Sequence, residues 1–104
     1  MTYPVANEDE LAEAHARMLT RHSLPTVAAF TDVADEIARA RRRFGPFASG
    51  HEGYAVLLEE LDELWTEVKD NKRPDAERKP AMRKEAVQVA AMAICFMIEC
   101  CEET

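Results

Sequence analysis

Positive charge is in short supply in this chain. Thirteen Lys and Arg stand against 20 Asp and Glu, a formal charge of -7 over 104 residues. Proteins that wrap nucleic acid carry basic faces, so this balance speaks against a nucleic-acid polymer as partner. Long apolar runs are missing too: none reaches the roughly 18 residues that a membrane helix needs. Cysteine is limited to Cys95, Cys100 and Cys101. That is an odd number with no Cys-x-x-Cys pair, and the chain opens on no secretory-signal pattern. The thiols are therefore expected to be reduced, in a cytoplasmic protein, and to serve as small apolar core filler. Glycine occurs three times and proline five times, the prolines at punctuation positions. No segment alternates polar and apolar residues with β-branched enrichment, so the chain reads as all-α. Apolar residues at 47% exclude a disordered chain. The length predicts a single domain, 1–104, that buries only about two-thirds of its unfolded surface. An oligomer would relieve that shortage.

Residues 1–25 read as an N-terminal arm, and about 26–101 as the core. In the arm, residues 1–6 form a tail and Asn7 opens a helix to about residue 22. Glu8, Asp9 and Glu10 fill its first turn, where acids suit the free N–H groups and the dipole. Its apolar stripe, Leu11, Met18 and Leu19, is thin. Ser23-Leu24-Pro25 breaks the chain. A second helix is predicted over about 26–43, with Val27, Phe30, Val33 and Ile37 on one face. Arg39, Arg41, Arg42 and Arg43 crowd its end, as a complement to the helix dipole or as a phosphate-contacting patch. Gly45-Pro46 stops it.

A third helix is predicted over about 51–71. Ser49 and Glu52 have capping-box spacing at its start. Tyr54, Leu57, Leu61, Leu64 and Val68 make its core stripe, with Leu58 and Trp65 beside them. Tyr54 and Trp65 are expected in the core. Lys72 to Lys79 reads as a charged linker, and Pro80 as a first-turn residue of a fourth helix over about 80–101. From Ala86 to Ile98, twelve of thirteen residues are apolar, with Gln88 the exception. A helix apolar all round needs cover all round. Three other helices can hardly supply it. The expectation is an antiparallel bundle of about four helices, completed by homo-oligomerisation around this helix. Ala86, Ala90, Ala91 and Ala93 would permit close approach.

The chemistry concentrates in Glu59-Glu60-Leu61-Asp62-Glu63. Spacings of three and four place carboxylates on one helix face, where like charges repel by a few tenths of a kcal/mol per pair. The next positive residue is Lys69, so the repulsion is not offset locally. Two readings stand: a solvated acidic face, or a site for a hard cation such as Mg²⁺, which binds carboxylate oxygens and keeps waters and phosphates. On the fourth helix Glu85 opens the apolar run and Gln88 follows three residues later. A Gln in a buried helix needs a partner. Gln88 is either an interhelical tie or part of a site wall with Glu85. A half-buried Glu85 without a cation would be costly. Antiparallel pairing of the third and fourth helices would let both sets of carboxylates face one pocket.

The pattern Glu-Glu-x-x-Glu on one helix, then Glu-x-x-Asp on the next, is that of the MazG-like nucleoside triphosphate pyrophosphohydrolases. This chain resembles that family through Glu59-Glu60-x-x-Glu63 and Glu85-x-x-Gln88. The flanks are similar as well: Phe44 to Tyr54, Leu58 to Trp65 and Lys84 to Ala93. The resemblance covers about residues 26–101. It implies an all-α fold, dependence on Mg²⁺ or Mn²⁺, and a homodimer or homotetramer. It also implies cleavage of an NTP or dNTP between the α and β phosphates to a monophosphate and pyrophosphate, as nucleotide-pool housekeeping. Glu60, Glu63 and Glu85 would be metal ligands. Glu59 would be a further ligand or the group that orients the attacking water. Gln88 stands where the wider family has Asp, and a neutral amide binds a cation less strongly. Many relatives carry a further helix after this point, a place that the N-terminal helix or a partner's would take.

A bound cation would make the acidic pocket locally positive and receptive to a triphosphate despite the net charge. Lys69, Lys72, Arg83 and Lys84 are candidates to complete the clamp, or are solvated surface charges. His51, at a helix start between Gly50 and Gly53, is a first-turn packing residue or a substrate contact. A second function class is a MazG-like oligomer that has lost turnover and binds a nucleotide or protein, which Gln88 would permit. Four retained Glu argue against it. A third is a di-iron carboxylate bundle. That site wants Glu-x-x-His pairs, and His15, His22 and His51 do not fall three after a Glu.

Overall fold

The computed structural model describes residues 7–21 and 24–102, apart from the side chains of His15 and residues 18–21. Among the described residues there are four α-helices, one π-helical segment and no strand. The sequence-predicted tail 1–6, the break residue Ser23 and the stripe residues Met18 and Leu19 lie outside that description. The chain divides into two compact units, one ending at Phe30 and the other starting at Thr31.

The first unit holds α1 (Glu8–Arg21) and the start of α2 (Leu24–Arg43). Asn7 caps α1 as its sequence position predicts: its Oδ1 accepts the Glu10 N–H at 2.8 Å. Leu24 and Pro25 are not a break but the first two residues of α2. Proline is tolerated there because a first-turn N–H has no helical partner to lose. Leu11, Leu24 and Phe30 are exposed.

The second unit holds the remainder of α2, then α3 (Gly50–Lys69) and α4 (Asp75–Phe96), which runs on into a π-helical turn, Met97–Cys101. Ser49 has extended backbone, and its side chain accepts the Glu52 N–H at 3.2 Å. The Glu52 carboxylate reaches back to the Ala48 N–H at 3.4 Å, one residue beyond the position that a capping box uses. The expected charged linker shrinks to residues 70–74. Pro74 caps α4 and Asp75 begins it, which leaves Pro80 inside the helix. Charge density at Lys72–Lys79 misled the boundary, since Asp75 and Glu77 are first-turn acids that favour a helix start. Side chains secure the connection. Asp70 accepts the Lys72 N–H at 3.2 Å, and Arg73 bonds Asp70 at 2.9 Å and also Glu67. Arg78 donates to the Val68 carbonyl at 3.0 Å, one of the four that the end of α3 leaves free.

α3 and α4 pair antiparallel. Arg78 meets Val68 near the connection, while Gly53 meets Phe96 at the far end. Gly53 is buried, and a Cβ there would lie 2.7 Å from the Phe96 ring and 3.0 Å from Phe47. The close approach requires the missing side chain. The core is small: Ala40, Ala91, Met92 and Cys95, with Val33, Ile37, Phe47, Val56 and Leu57 packed against it. Two expectations need correction. Tyr54 and Trp65, expected in the core, are 64% and 58% exposed. Both rings stay largely uncovered by the described residues. Cys101 is exposed and Cys100 half-buried, so only Cys95 is core filler. The apolar run is buried at Ala91, Met92 and Cys95 and half-buried over most of its length, while Met97 and Ile98 at its end stay exposed. No described helix is long and apolar enough to cross a membrane.

Candidate metal centre

Antiparallel pairing sets the middle of α3 beside the first half of α4, and three carboxylates meet there. Glu60, Glu63 and Glu85 each offer one oxygen, all within 4.8 Å of one another. Glu60 and Glu85 are half-buried and Glu63 is exposed. Glu60 Oε2 and Glu85 Oε2 are shut off from solvent with no hydrogen-bond partner among the described residues. A buried carboxylate oxygen without a donor is expensive. Burial, then the charge of Glu63, a hydrogen bond shared with Glu63, and the charges of Glu85 and Glu59 push the Glu60 carboxyl up to about 7. Glu85 is raised as well, by burial first and then by Glu63, against a lowering by Lys84. No described basic group is paired with any of the three. Hard oxygen donors, clustered charge and orphaned lone pairs together fit a divalent cation.

The remaining sequence-predicted residues lie around this cluster in different places. Glu59 is exposed and lines, with Glu60, a cavity of about 310 Å³. Gln88 lines a larger open groove between α2 and α4, about 500 Å³, with Asp32, Glu36, Arg39, Arg83 and Lys84. Charges in that groove are largely paired: Arg83 to Asp32 at 2.8 Å and Arg39 to Glu36 at 2.5 Å. The bond from Arg39 lowers the Glu36 carboxyl below the usual range. Lys84 is exposed, and its charge favours ionised Glu85 and Glu36 alike. Lys69 and Lys72 are exposed at the α3–α4 connection, and His51 is exposed in the first turn of α3.

Sequence reasoning missed the neighbours of Glu59. Arg41 is neither a solvated end charge nor a free patch residue. It is ion-paired with Glu99, donates to the Gly45 carbonyl at 3.0 Å and stacks over Phe47 at 4.9 Å. Glu99 also accepts the Phe47 N–H at 2.9 Å. The segment between α2 and α3 is thereby tied to the π-helical turn, 52 residues on in the chain. The available signal was Glu99 itself, a lone acid directly after an apolar run. No family model, curated protein or solved structure matches this chain.

Proposed function

We propose that the protein is a Mg²⁺-dependent nucleoside triphosphate pyrophosphohydrolase of MazG-like type. The observation that carries this reading is the convergence of Glu60, Glu63 and Glu85, with two enclosed carboxylate oxygens that lack donors. The resemblance of the acidic motifs supplies the reaction class. A divalent cation held by these three residues would neutralise negative charge on the phosphates and favour the ionised form of Glu60. Glu59, on the same helix and exposed toward the cavity, would orient the attacking water. Water then adds across the α–β phosphoanhydride. Its oxygen joins one phosphorus, the bridging oxygen leaves on the other, and a monophosphate and pyrophosphate result.

Self-association belongs to the same proposal. Tyr54, Leu58, Leu61 and Trp65 line one flank of α3, each at least 44% exposed, and Met97 and Ile98 lie exposed beyond α4. Monomers seldom leave so many large apolar groups together in water. A second copy, giving a homodimer or homotetramer, would cover them. The experiment is a product assay: each NTP and dNTP incubated with Mg²⁺, Mn²⁺ or EDTA, with pyrophosphate read separately from orthophosphate. Metal-dependent pyrophosphate release is expected. It should vanish in Glu63→Gln with the helical circular dichroism intact, and normal turnover in that variant would remove the metal-site assignment. No release with any nucleotide would favour the alternative of a fold kept for binding, with Gln88 the first residue to restore to Asp.

A further inference from the structure

The cavity that Glu59 and Glu60 line is also walled by Arg41, Phe44, Phe47 and Glu52. Its volume, about 310 Å³, lies at the small end of the range for ligand pockets. Its lining carries one cation, Arg41, and three carboxylates, Glu52, Glu59 and Glu60, among apolar residues. Arg41 has one terminal nitrogen, Nη2, enclosed and without a hydrogen-bond partner among the described residues. Nε makes no hydrogen bond either but is ion-paired with Glu99, Nη1 donates to the Gly45 carbonyl, and the guanidinium lies over Phe47. That guanidinium is therefore held in place and keeps a spare donor. Glu52 spends one oxygen on a long 3.4 Å contact with the Ala48 N–H. Its second oxygen is left to accept.

We propose that this cavity is a base subsite selective for guanine, with Arg41 donating to the base carbonyl and Glu52 accepting from the adjacent ring N–H and amino group. The proposal rests on the nucleotide reading above. The chemistry behind it is a match of edges. Guanine presents one carbonyl acceptor beside two N–H donors, and a fixed donor beside a carboxylate is the complement of that edge. Adenine and cytosine each place a ring-nitrogen acceptor against the carboxylate, which repels it. Hypoxanthine keeps the carbonyl and ring N–H but lacks the amino donor. One face of Phe47 is taken by Arg41 and one of Phe44 by Arg43, so Phe44, the more exposed ring, is the one left to stack on a base, and it adds affinity without choice.

Two readouts test it. One is kcat/KM for pyrophosphate release from GTP, ITP and ATP with Mg²⁺. The other is calorimetric binding of GMP and AMP to the metal-free protein, which requires no turnover. GTP is expected to exceed ITP and ATP by about tenfold or more, the scale of a hydrogen bond to a charged group. GMP should bind more tightly than AMP by a similar factor. Glu52→Gln keeps the Ser49 cap and the side-chain length, but its amide can no longer accept from both guanine N–H groups and can donate to the adenine ring nitrogen. It should erase the guanine preference and raise AMP binding relative to GMP. Phe44→Ala should weaken both monophosphates alike. Equal GMP and AMP binding to the wild type, or an unchanged ratio in Glu52→Gln, overturns the subsite. Pyrophosphate release without base preference overturns the subsite and leaves the hydrolase reading standing. Glu52-dependent GMP binding without any pyrophosphate release does the reverse.

Discussion

Replacement of Glu60 by Gln should stabilise the metal-free protein at neutral to alkaline pH and abolish its response to Mg²⁺. The Glu60 carboxyl lies at about 7 in the fold, against an ordinary 4.5, because it is half-buried and faces Glu63, Glu85 and Glu59. The sign follows from linkage. The folded state holds the proton more tightly than the unfolded chain does, so this group contributes stability below about pH 4.5 and loses it as pH rises through about 7. At 1.36 kcal/mol per pH unit the full cost of ionising Glu60 is about 3 kcal/mol. Solvent at this partly open site screens it to about 1–2 kcal/mol. Gln is neutral at every pH and nearly isosteric. In EDTA at about pH 8, Glu60→Gln should therefore melt about 4–16 °C above the wild type, on the scale of about 4–8 °C per kcal/mol for a small domain. At about pH 5 the two should nearly coincide, because Glu60 is then largely protonated in the folded state. Saturating Mg²⁺ should lift the wild type, by about 2.7 kcal/mol at a hundredfold excess over Kd, and leave the variant unmoved. Thermal melts by far-UV circular dichroism at both pH values, with EDTA and with Mg²⁺, measure all four quantities. A variant no more stable than the wild type in EDTA at about pH 8 would refute the charge argument. Equal lifts by Mg²⁺ would refute the ligand assignment.

Other perturbations read other parts of the fold. Gly53→Ala puts a methyl 2.7 Å from the Phe96 ring. Overpacking of about 1–3 kcal/mol, less about 1 kcal/mol of helix propensity, should leave a net loss near 1 kcal/mol in urea titration. A stabilised variant would mean that Phe96 moves freely. Glu99→Ala removes the acceptor of the Phe47 N–H and the partner of Arg41. A loss of about 1–3 kcal/mol and faster hydrogen exchange at the Phe47 amide are expected, and unchanged exchange there would show that the tie is not formed in solution. Leu61→Glu, on the exposed flank of α3, should dissociate the assembly. Light scattering should then fall from a multiple of 11.7 kDa to that mass, whereas a monomeric wild type would remove the oligomer from the proposal.

Local rules made much of this protein legible. Helix starts at Asn7 and Ser49, the stop at Gly45-Pro46 and the all-α composition follow from caps, breakers and periodicity acting within a few residues. The acidic cluster was legible too, since Glu60 and Glu63 are helix neighbours by spacing alone. Errors arose where the answer depends on what lies opposite. Pro80 sits in a helix interior because the acids at Asp75 and Glu77 start α4 earlier than the proline suggested. Tyr54 and Trp65 have the period of core residues, yet a period marks only an apolar face and says nothing of which partner covers it. Arg41 and Glu99 are 58 positions apart and meet only because α4 returns antiparallel to α3. Interactions between residues one to four apart set the existence and order of the helices and the chemical character of each face, which is why those could be read from the chain. The meeting of Glu85 with Glu60 and Glu63 was foreshadowed by the expected antiparallel pairing, but only tertiary structure decided that Gln88 lines a different groove and that Arg41 and Glu52 share one cavity. Those placements come from how two helices cross, and a crossing is set by the packing of Gly53, Phe96, Met92 and Ala91 rather than by any single stretch of chain.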